Sequence, residues 1–144
     1  MKRTITAVFL VAVFAVTGIV FSQEGSYKVI ANTANTPDSV SKRDLARIFL
    51  KKKKKWPNGQ KAQPVEQKGN DALRTSFSKE VLGKSLEMVE SHWQAQVFSG
   101  KGSPPKQMTS DAAVINFVRS QPGAVGYVSS GASIDGVKVM TIHD

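Results

Sequence analysis

The sequence predicts an α/β domain in which a small mixed sheet is flanked by helices. Short runs of β-forming residues alternate with segments of helical periodicity along most of the chain. An apolar leader precedes these segments, and the chain contains no cysteine. We divide the chain into a signal peptide, residues 1–22, and one domain, residues 23–144. A domain of this length can bury one modest hydrophobic core, but it cannot form two lobes with separate cores.

The leader has the charged, apolar and polar order of a secretory signal peptide. Lys2 and Arg3 precede an apolar run from Ile5 to Phe21. Val20 and Ser22 occupy the positions that a signal peptidase reads, so we expect cleavage after Ser22 and a periplasmic domain. An uncleaved membrane anchor is the alternative, because the run approaches the length that spans a bilayer. Without a cysteine, neither a lipoprotein nor a disulfide is expected.

The predicted domain is strongly basic. The chain has 20 basic and 11 acidic residues, and loss of Lys2 and Arg3 with the leader leaves 18 basic residues and a net charge of +7. Such a surface attracts anions. Because the domain is expected outside the cytoplasm, the candidate partners are inorganic anions, anionic lipids and acidic envelope polymers, and no nucleic acid is expected. A charged surface that only maintains solubility is the other interpretation.

The first strand is predicted over Tyr27 to Asn32, where β-forming residues end in a cluster of turn residues. A helix is predicted to begin after Ser41, because Asp44 follows three residues later, as in a capping box. Lys51 stands where a glycine would end this helix, so we expect the helix to continue into the lysines before the turn at Trp56.

A second strand is predicted over Gln63 to Gln67, with Pro64 favouring its first residues or a sheet edge. A helix from about Asn70 to Gly83 follows, and Ser85 is predicted to cap the next helix. That helix is predicted to bury Leu86, Val89, Trp93 and Val97 on one face.

Thr109 or Ser110 is predicted to begin the last helix, which the turn at Pro122 ends. The remaining strands are predicted over Val125 to Val128 and over Val137 to Ile142. Four aromatic residues at helical spacing or near loop ends are predicted to lie in the core: Phe77, Trp93, Phe98 and Phe117.

Three stretches of sequence carry a resemblance to a known family. They are Leu45 to Leu50 followed by Trp56, then Phe98 to Gly102, then Pro122 to Val128. In this order they resemble the phosphate-type, PstS-like substrate-binding proteins of ABC transporters. The resemblance implies a single lobe of a type 2 periplasmic-binding-protein-like fold, and neither enzymatic activity nor a cofactor is expected of the chain. It also implies phosphate, or another small anion, and an ABC permease as partners, and a monomer is expected.

In that family an Arg-x-Asp-x-Ser-Gly-Thr segment after the equivalent strand holds the phosphate. The aligned positions here hold Gln67, Gly69 and Asp71 to Leu73, so no signature residue is present. Asp71 brings a negative charge to a helix start that would otherwise favour an anion. Arg74 is a candidate substitute for the family's arginine, but we expect it to be solvated on the helix face. Phosphate binding is therefore expected to be weak or lost.

A ligand site is predicted where strand ends meet helix starts. Each candidate also has a simpler interpretation as a cap or turn residue. The candidates are Asn32, Thr33, Gln67, Lys68, Gly69, Asn70, Arg74, Ser110 and Tyr127.

A run of five lysines followed by a tryptophan is the most basic segment of the chain: Lys51, Lys52, Lys53, Lys54, Lys55 and Trp56. Because adjacent ammonium groups repel one another, this segment is expected to be exposed. One interpretation is a patch for anionic lipid or a polyanion, with Trp56 as an aromatic contact. The other is a solvated loop over a core tryptophan.

No catalytic or metal-binding motif is present. The two histidines, His92 and His143, are far apart and no cysteine accompanies them, so no metal site is expected. No nucleophile elbow or nucleotide-binding glycine loop occurs. Two hypotheses remain: a solute-binding-like module, and a non-transport envelope interaction or scaffold protein that uses the lysine run or an apolar face.

Overall fold

The computed structural model describes residues 25–34 and 36–144. The predicted signal peptide and its cleavage site lie outside the described residues. Strands and helices alternate along the described chain, which confirms the predicted α/β class. Their order is β1 (Tyr27–Asn32), β2 (Ser39–Ser41), α1 (Lys42–Phe49), β3 (Gln63–Gln67), α2 (Asp71–Phe77), a π-helical segment (Ser78–Leu82), α3 (Leu86–Phe98), β4 (Lys106–Met108), α4 (Asp111–Ser120), β5 (Ala124–Ser129), β6 (Val137–Val139) and β7 (Thr141–His143).

The main sheet is mixed, as predicted, and has the strand order β4-β3-β5-β1-β6. β3 pairs in parallel with β4 and with β5, whereas β1 runs antiparallel to β5 and β6. The carboxyl ends of β3, β4 and β5 therefore meet at one edge of the sheet, and the carboxyl end of β1 lies at the opposite edge. β2 and β7 form a separate parallel pair.

The sheet separates two hydrophobic clusters, and successive residues of β5 serve opposite faces. Val125 and Tyr127 pack in the cluster under α1, α2 and α3, where the rings of Tyr127 and Phe77 stack with centroids 4.0 Å apart. Ala124 and Val128 pack in the cluster under α4. In the described part of the chain, no helix is long and apolar enough to cross a membrane.

Side-chain caps determine where the four α-helices begin. The oxygen atoms of Ser41, Asn70, Ser85 and Ser110 accept hydrogen bonds from the backbone N–H three residues later, at 3.1–3.3 Å. Each bond satisfies an amide that has no partner within the helix. The four predicted helix starts are confirmed.

The predicted continuation of α1 into the lysines is wrong. Lys51 adopts a left-handed backbone conformation with φ of 55°. The N–H groups of Lys51 and Lys52 then bond to the carbonyls of Ile48 and Arg47, at 3.0 and 2.7 Å. This is the hydrogen-bond pattern of a Schellman motif, which usually has glycine at the left-handed position. Here a lysine takes that position and the helix ends before the run.

Two other predictions about the chain need correction. The strand predicted over Val137 to Ile142 is divided at the buried Met140, whose N–H bonds to the carbonyl of Val29 at 2.9 Å, so β6 and β7 join different sheets. Phe98 is not a core residue, because 96% of its surface is exposed, and Val97 is 56% exposed. The helical pattern continued to Val97, but none of the described elements covers the last turn of α3.

Candidate functional site

Gln67 and Asp111 define the edge of the sheet where β3 and β4 end and where α2 and α4 begin. Gln67 is the buried last residue of β3, and its Nε2 donates to Oδ1 of Asp111 at 2.5 Å. The same carboxylate oxygen accepts a hydrogen bond from the N–H of Ser129 at 3.3 Å. Asp111 therefore connects β3, α4 and β5, and its negative charge lies in the first turn of α4.

The loops that precede α2 and α4 pack directly against each other. The N–H of Lys68 donates to the carbonyl of Met108 at 2.7 Å. A Cβ at Gly69 would overlap the carbonyl oxygen of Thr109, which explains why a glycine is required there. Asn70 and Ser110 serve as helix caps. Gln67, Lys68, Gly69, Asn70 and Ser110 are thus brought together, but their polar groups already bond to neighbours outside this set, such as Asp111 and Met108.

The structure separates Asn32 and Thr33 from the other candidates. Asn32 is buried at the opposite edge of the sheet, because β1 is antiparallel to β5. Its Nδ2 donates to the carbonyls of Val118 and Arg119 at 2.8 and 3.0 Å, where α4 ends. Thr33 is exposed in the bend after β1. These two residues therefore cannot share a site with Gln67.

Arg74 is buried, with 8% of its surface exposed, so the predicted solvated position is wrong. It points into a cluster of polar groups, since its guanidinium lies 3.7 Å from Glu90 and 3.8 Å from Asp71. Arg74 also acts on the hydroxyl of Tyr127, where it opposes the effect of burial and lowers the pKa. Burial is the main cause that raises the pKa of Tyr127, and the charge of Glu66 adds to it.

Glu66 is the least expected member of this cluster, because it is an acidic side chain with only 4% of its surface exposed. Burial raises the pKa of its carboxyl, although the Arg74 guanidinium and a hydrogen bond from Gln107 act in the opposite direction. Sequence reasoning overlooked Glu66, which follows Pro64 and Val65 in a strand that was predicted. Alternation of buried and exposed positions along the strand was the remaining signal. It could not reveal that Glu66 is buried, because β3 is buried on both faces.

An amphipathic cavity of about 520 Å³ opens beside this cluster. One wall is polar and includes Glu66, Arg74 and Glu90. The other wall is apolar and comes mainly from α3. The indole Nε1 of Trp93, which lines the cavity, is buried without a hydrogen-bond partner among the described residues. The apolar wall consists of Val89, Trp93, Val97, Phe98 and Pro104.

Glu66→Gln is expected to change how stability depends on pH. Since the folded-state pKa of Glu66 is raised, its contribution to stability is complete below the ordinary glutamate pKa of 4.5 and is lost as the pH rises through the folded value. The variant should lack this loss and be at least as stable as the parent at neutral pH. Urea unfolding at several pH values measures this. Glu87→Gln removes the same charge from an exposed position of α3, and an equal change in both profiles would contradict the prediction.

A second cavity, of about 440 Å³, is lined by five lysines, and its described lining contains no acidic residue. We call it the basic groove. Lys53 is the member with an ionic partner among the described residues, because its Nζ lies 2.6 Å from Asp44. The lysines come from three segments of the chain and are Lys51, Lys53, Lys54, Lys61 and Lys101.

Sequence reasoning missed Lys61 and Lys101. The Asn58-Gly59 turn was the signal for Lys61, because a hairpin turn there brings Lys61 beside Lys55, and the two form a bridge in the structure. No local signal placed Lys101 there, since it reaches the groove only because α3 packs against this region. Lys52 and Lys55 are exposed but do not line the groove.

Trp56 is 2% exposed, and its Nε1 donates to the carbonyl of Gly123 at 2.9 Å. It is therefore a core residue, which excludes it as an aromatic contact for a partner. Among the described residues, no group of three or more histidine, cysteine, aspartate or glutamate side chains is placed to hold a metal ion.

Comparisons with solved structures identify the fold. No protein-family model and no curated protein sequence matches the chain. An ABC-type phosphate transport receptor from Vibrio cholerae is similar with a TM-score of 0.62 and 19% identity, over 81% of this chain and 46% of that protein. PstS from Borrelia burgdorferi is similar with a TM-score of 0.62 and 12% identity, over 83% of this chain and 47% of that protein.

The chain thus spans slightly less than half the length of the solved proteins that it matches. At identities of 12–19%, the likeness shows the fold and does not transfer functional residues. The chain has the fold of phosphate-type, PstS-like substrate-binding proteins over about half of their length, as the resemblance implied for a single-lobe relative.

Proposed function

We propose that this chain is an exported solute-binding-like module, related to the phosphate receptors of ABC transporters, in which phosphate binding is weak or lost. The fold supports the relationship. The interaction between Gln67 and Asp111 is the observation that supports the loss. A carboxylate there accepts the hydrogen bonds of Gln67 and Ser129 that an incoming anion would need.

The acidic residues at the two helix starts also disfavour phosphate binding. A helix N-terminus favours an anion through its free amides and dipole. Here Asp71 and Asp111 lie in the first turns of α2 and α4, and Asn70 and Ser110 accept from amides of those turns. The loss of one buried charged contact costs about 2–5 kcal/mol, whereas a micromolar ligand has about 8 kcal/mol in total. Residual binding should therefore be weak.

Arg74 does not replace the family's arginine in this proposal. It is buried between α2 and α3, where Glu66, Glu90 and Asp71 balance its charge. A phosphate would have to displace these carboxylates. The cluster accordingly links β3, α2 and α3, and the exposed Lys68 between β3 and α2 has no ionic partner among the described residues.

Calorimetric titration with phosphate at low ionic strength tests this proposal, with sulfate as the control anion. We expect either no heat or equal, weak heat from both anions. A saturable, phosphate-specific response at micromolar concentration would contradict it and would return the chain to the transport receptors. Asp111→Asn should not create phosphate binding by itself, because Asp71 remains.

A second candidate function is an envelope interaction protein that uses its lysines. The basic groove is the observation that favours it, because five lysines converge there from three segments without an acidic lining residue. Like charges that are held together raise the local affinity for an anionic partner. The same fold would then serve as the support for an interaction surface.

A further inference from the structure

The end of α3 carries the most exposed large apolar side chain among the described residues. Phe98 is 96% exposed and the preceding Val97 is 56% exposed. A phenylalanine buries about 150–250 Å² of surface when it is covered. Single exposed apolar residues are common in soluble proteins, so the meaning of Phe98 depends on what surrounds it.

The last two turns of α3 also border the basic groove, through Trp93 and Gln96. Gly100 ends the helix with φ of 69°, and Lys101 follows and lines the basic groove with Lys51, Lys54 and Lys61. Trp93 lines both the groove and the amphipathic cavity to which Phe98 belongs. Phe98 and the basic groove therefore lie at the same end of α3.

The acidic residues of α3 are confined to the beginning of the helix. Its glutamates, Glu87 and Glu90, lie in the first five residues, and no acidic residue occurs from Ser91 to Ser103. A helix of 13 residues is about 20 Å long, so its acidic beginning and its apolar end are well separated. Four of the groove lysines, Lys53 being the exception, have no ionic partner among the described residues.

We propose that the chain docks on anionic membrane surfaces through one face, the docking face, made of Lys51, Lys54, Lys61, Lys101 and Phe98. This inference rests on the interaction role proposed above and assigns its partner. The lysines contact lipid headgroups, and the ring of Phe98 inserts at the boundary between headgroups and acyl chains. Each lysine near such a surface adds an attraction that depends on ionic strength.

The exposed ring of Phe98 favours a membrane over a soluble acidic polymer as the partner. Lysines alone suit both partners, because both carry many negative charges. A polymer of acidic groups offers no apolar phase for an exposed ring, whereas a bilayer interface does. The aromatic contact expected of Trp56 is thus supplied by Phe98, at the end of a different element.

Vesicle co-sedimentation tests the inference on the protein recovered from the periplasmic fraction of cells that export it. Phosphatidylcholine vesicles that contain phosphatidylglycerol should bind the protein, and pure phosphatidylcholine vesicles should not. Binding should weaken as salt is added, because exposed charges are screened. Lys51→Gln combined with Lys54→Gln should weaken it at least about tenfold, and Phe98→Ser about tenfold.

Matched controls lie at the other end of α3. Lys79→Gln combined with Lys84→Gln removes the same charge from the π-helical segment and from the residue before the cap Ser85. Met88→Ser removes an apolar side chain that is 56% exposed in the first turn of α3. Both controls are expected to bind anionic vesicles nearly as well as the parent protein.

Three results would overturn the inference. The first is no binding to the anionic vesicles, and the second is equal weakening by the control variants, which would show an effect of net charge alone. The third is unchanged vesicle binding of Phe98→Ser together with lysine-dependent binding of polyphosphate, which would assign the groove to a soluble polymer. If the protein binds neither polyphosphate nor vesicles, the proposed interaction role itself is wrong. The phosphate titration tests the loss of phosphate binding separately, and its result does not depend on these assays.

Discussion

Trp56→Ala is expected to lower the free energy of unfolding by about 3–5 kcal/mol, the usual cost of removing a large buried aromatic side chain. The indole of Trp56 is almost completely buried in the hydrophobic cluster under α1, α2 and α3, and its N–H donates to the carbonyl of Gly123. The variant would lose both the packing and this hydrogen bond. Urea unfolding of the parent and the variant at neutral pH measures the difference.

Trp56→Phe is the matched control for this prediction. It keeps an aromatic ring in the cluster but loses the indole N–H, so a smaller loss of stability is expected. If Trp56→Ala were as stable as the parent and instead weakened binding to anionic vesicles, Trp56 would be a surface contact and its position in the core would be wrong. The expected order of stability is parent, phenylalanine variant, alanine variant.

Gly123→Ala is expected to lower the free energy of unfolding by about 3 kcal/mol or more. Gly123 has φ of 79°, a conformation that costs other residues about 1–2 kcal/mol. An added Cβ would also overlap the backbone carbonyl oxygen of Lys61, which cannot move as a side chain can. The carbonyl of Gly123 accepts from both Trp56 and Gln63, so any shift of this turn disturbs two elements.

Gly83→Ala separates the two causes. Gly83 also has a positive φ, of 64°, but no atom lies within 4 Å of the position of its Cβ. Only the conformational cost of about 1–2 kcal/mol should therefore appear there. Equal losses in the two variants, measured by thermal or urea unfolding, would show that the contact with Lys61 is unimportant.

The glycines of the Pro122 to Val128 stretch now have physical explanations. Gly123 allows the tight approach to Lys61, and Gly126 lies where a Cβ would meet side-chain atoms of Val65 and Val114 at 2.7 and 2.9 Å. These contacts join β5 to β3 and to α4. The last of the three stretches that carried the family resemblance thus lies at the centre of the sheet.

The candidate site was predictable only in part. Gln67, Lys68, Gly69 and Asn70 are consecutive from the last residue of β3 to the cap of α2, so sequence order alone brought them together. Ser110 joined them because β4 is parallel to β3. Asn32 was misplaced because a strand pattern carries no information about direction, and β1 is antiparallel to its neighbours in the sheet.

The sequence by itself determined the elements whose causes are local. Helix starts follow from caps within four residues, as at Ser41 and Ser85, and the alternation of strands and helices follows from short-range periodicity. Only the tertiary structure decided which polar side chains are buried and which charges converge. Arg74 and Glu66 became buried, Lys61 and Lys101 joined the basic groove, and Phe98 stayed exposed, because each outcome depends on which distant element covers that position.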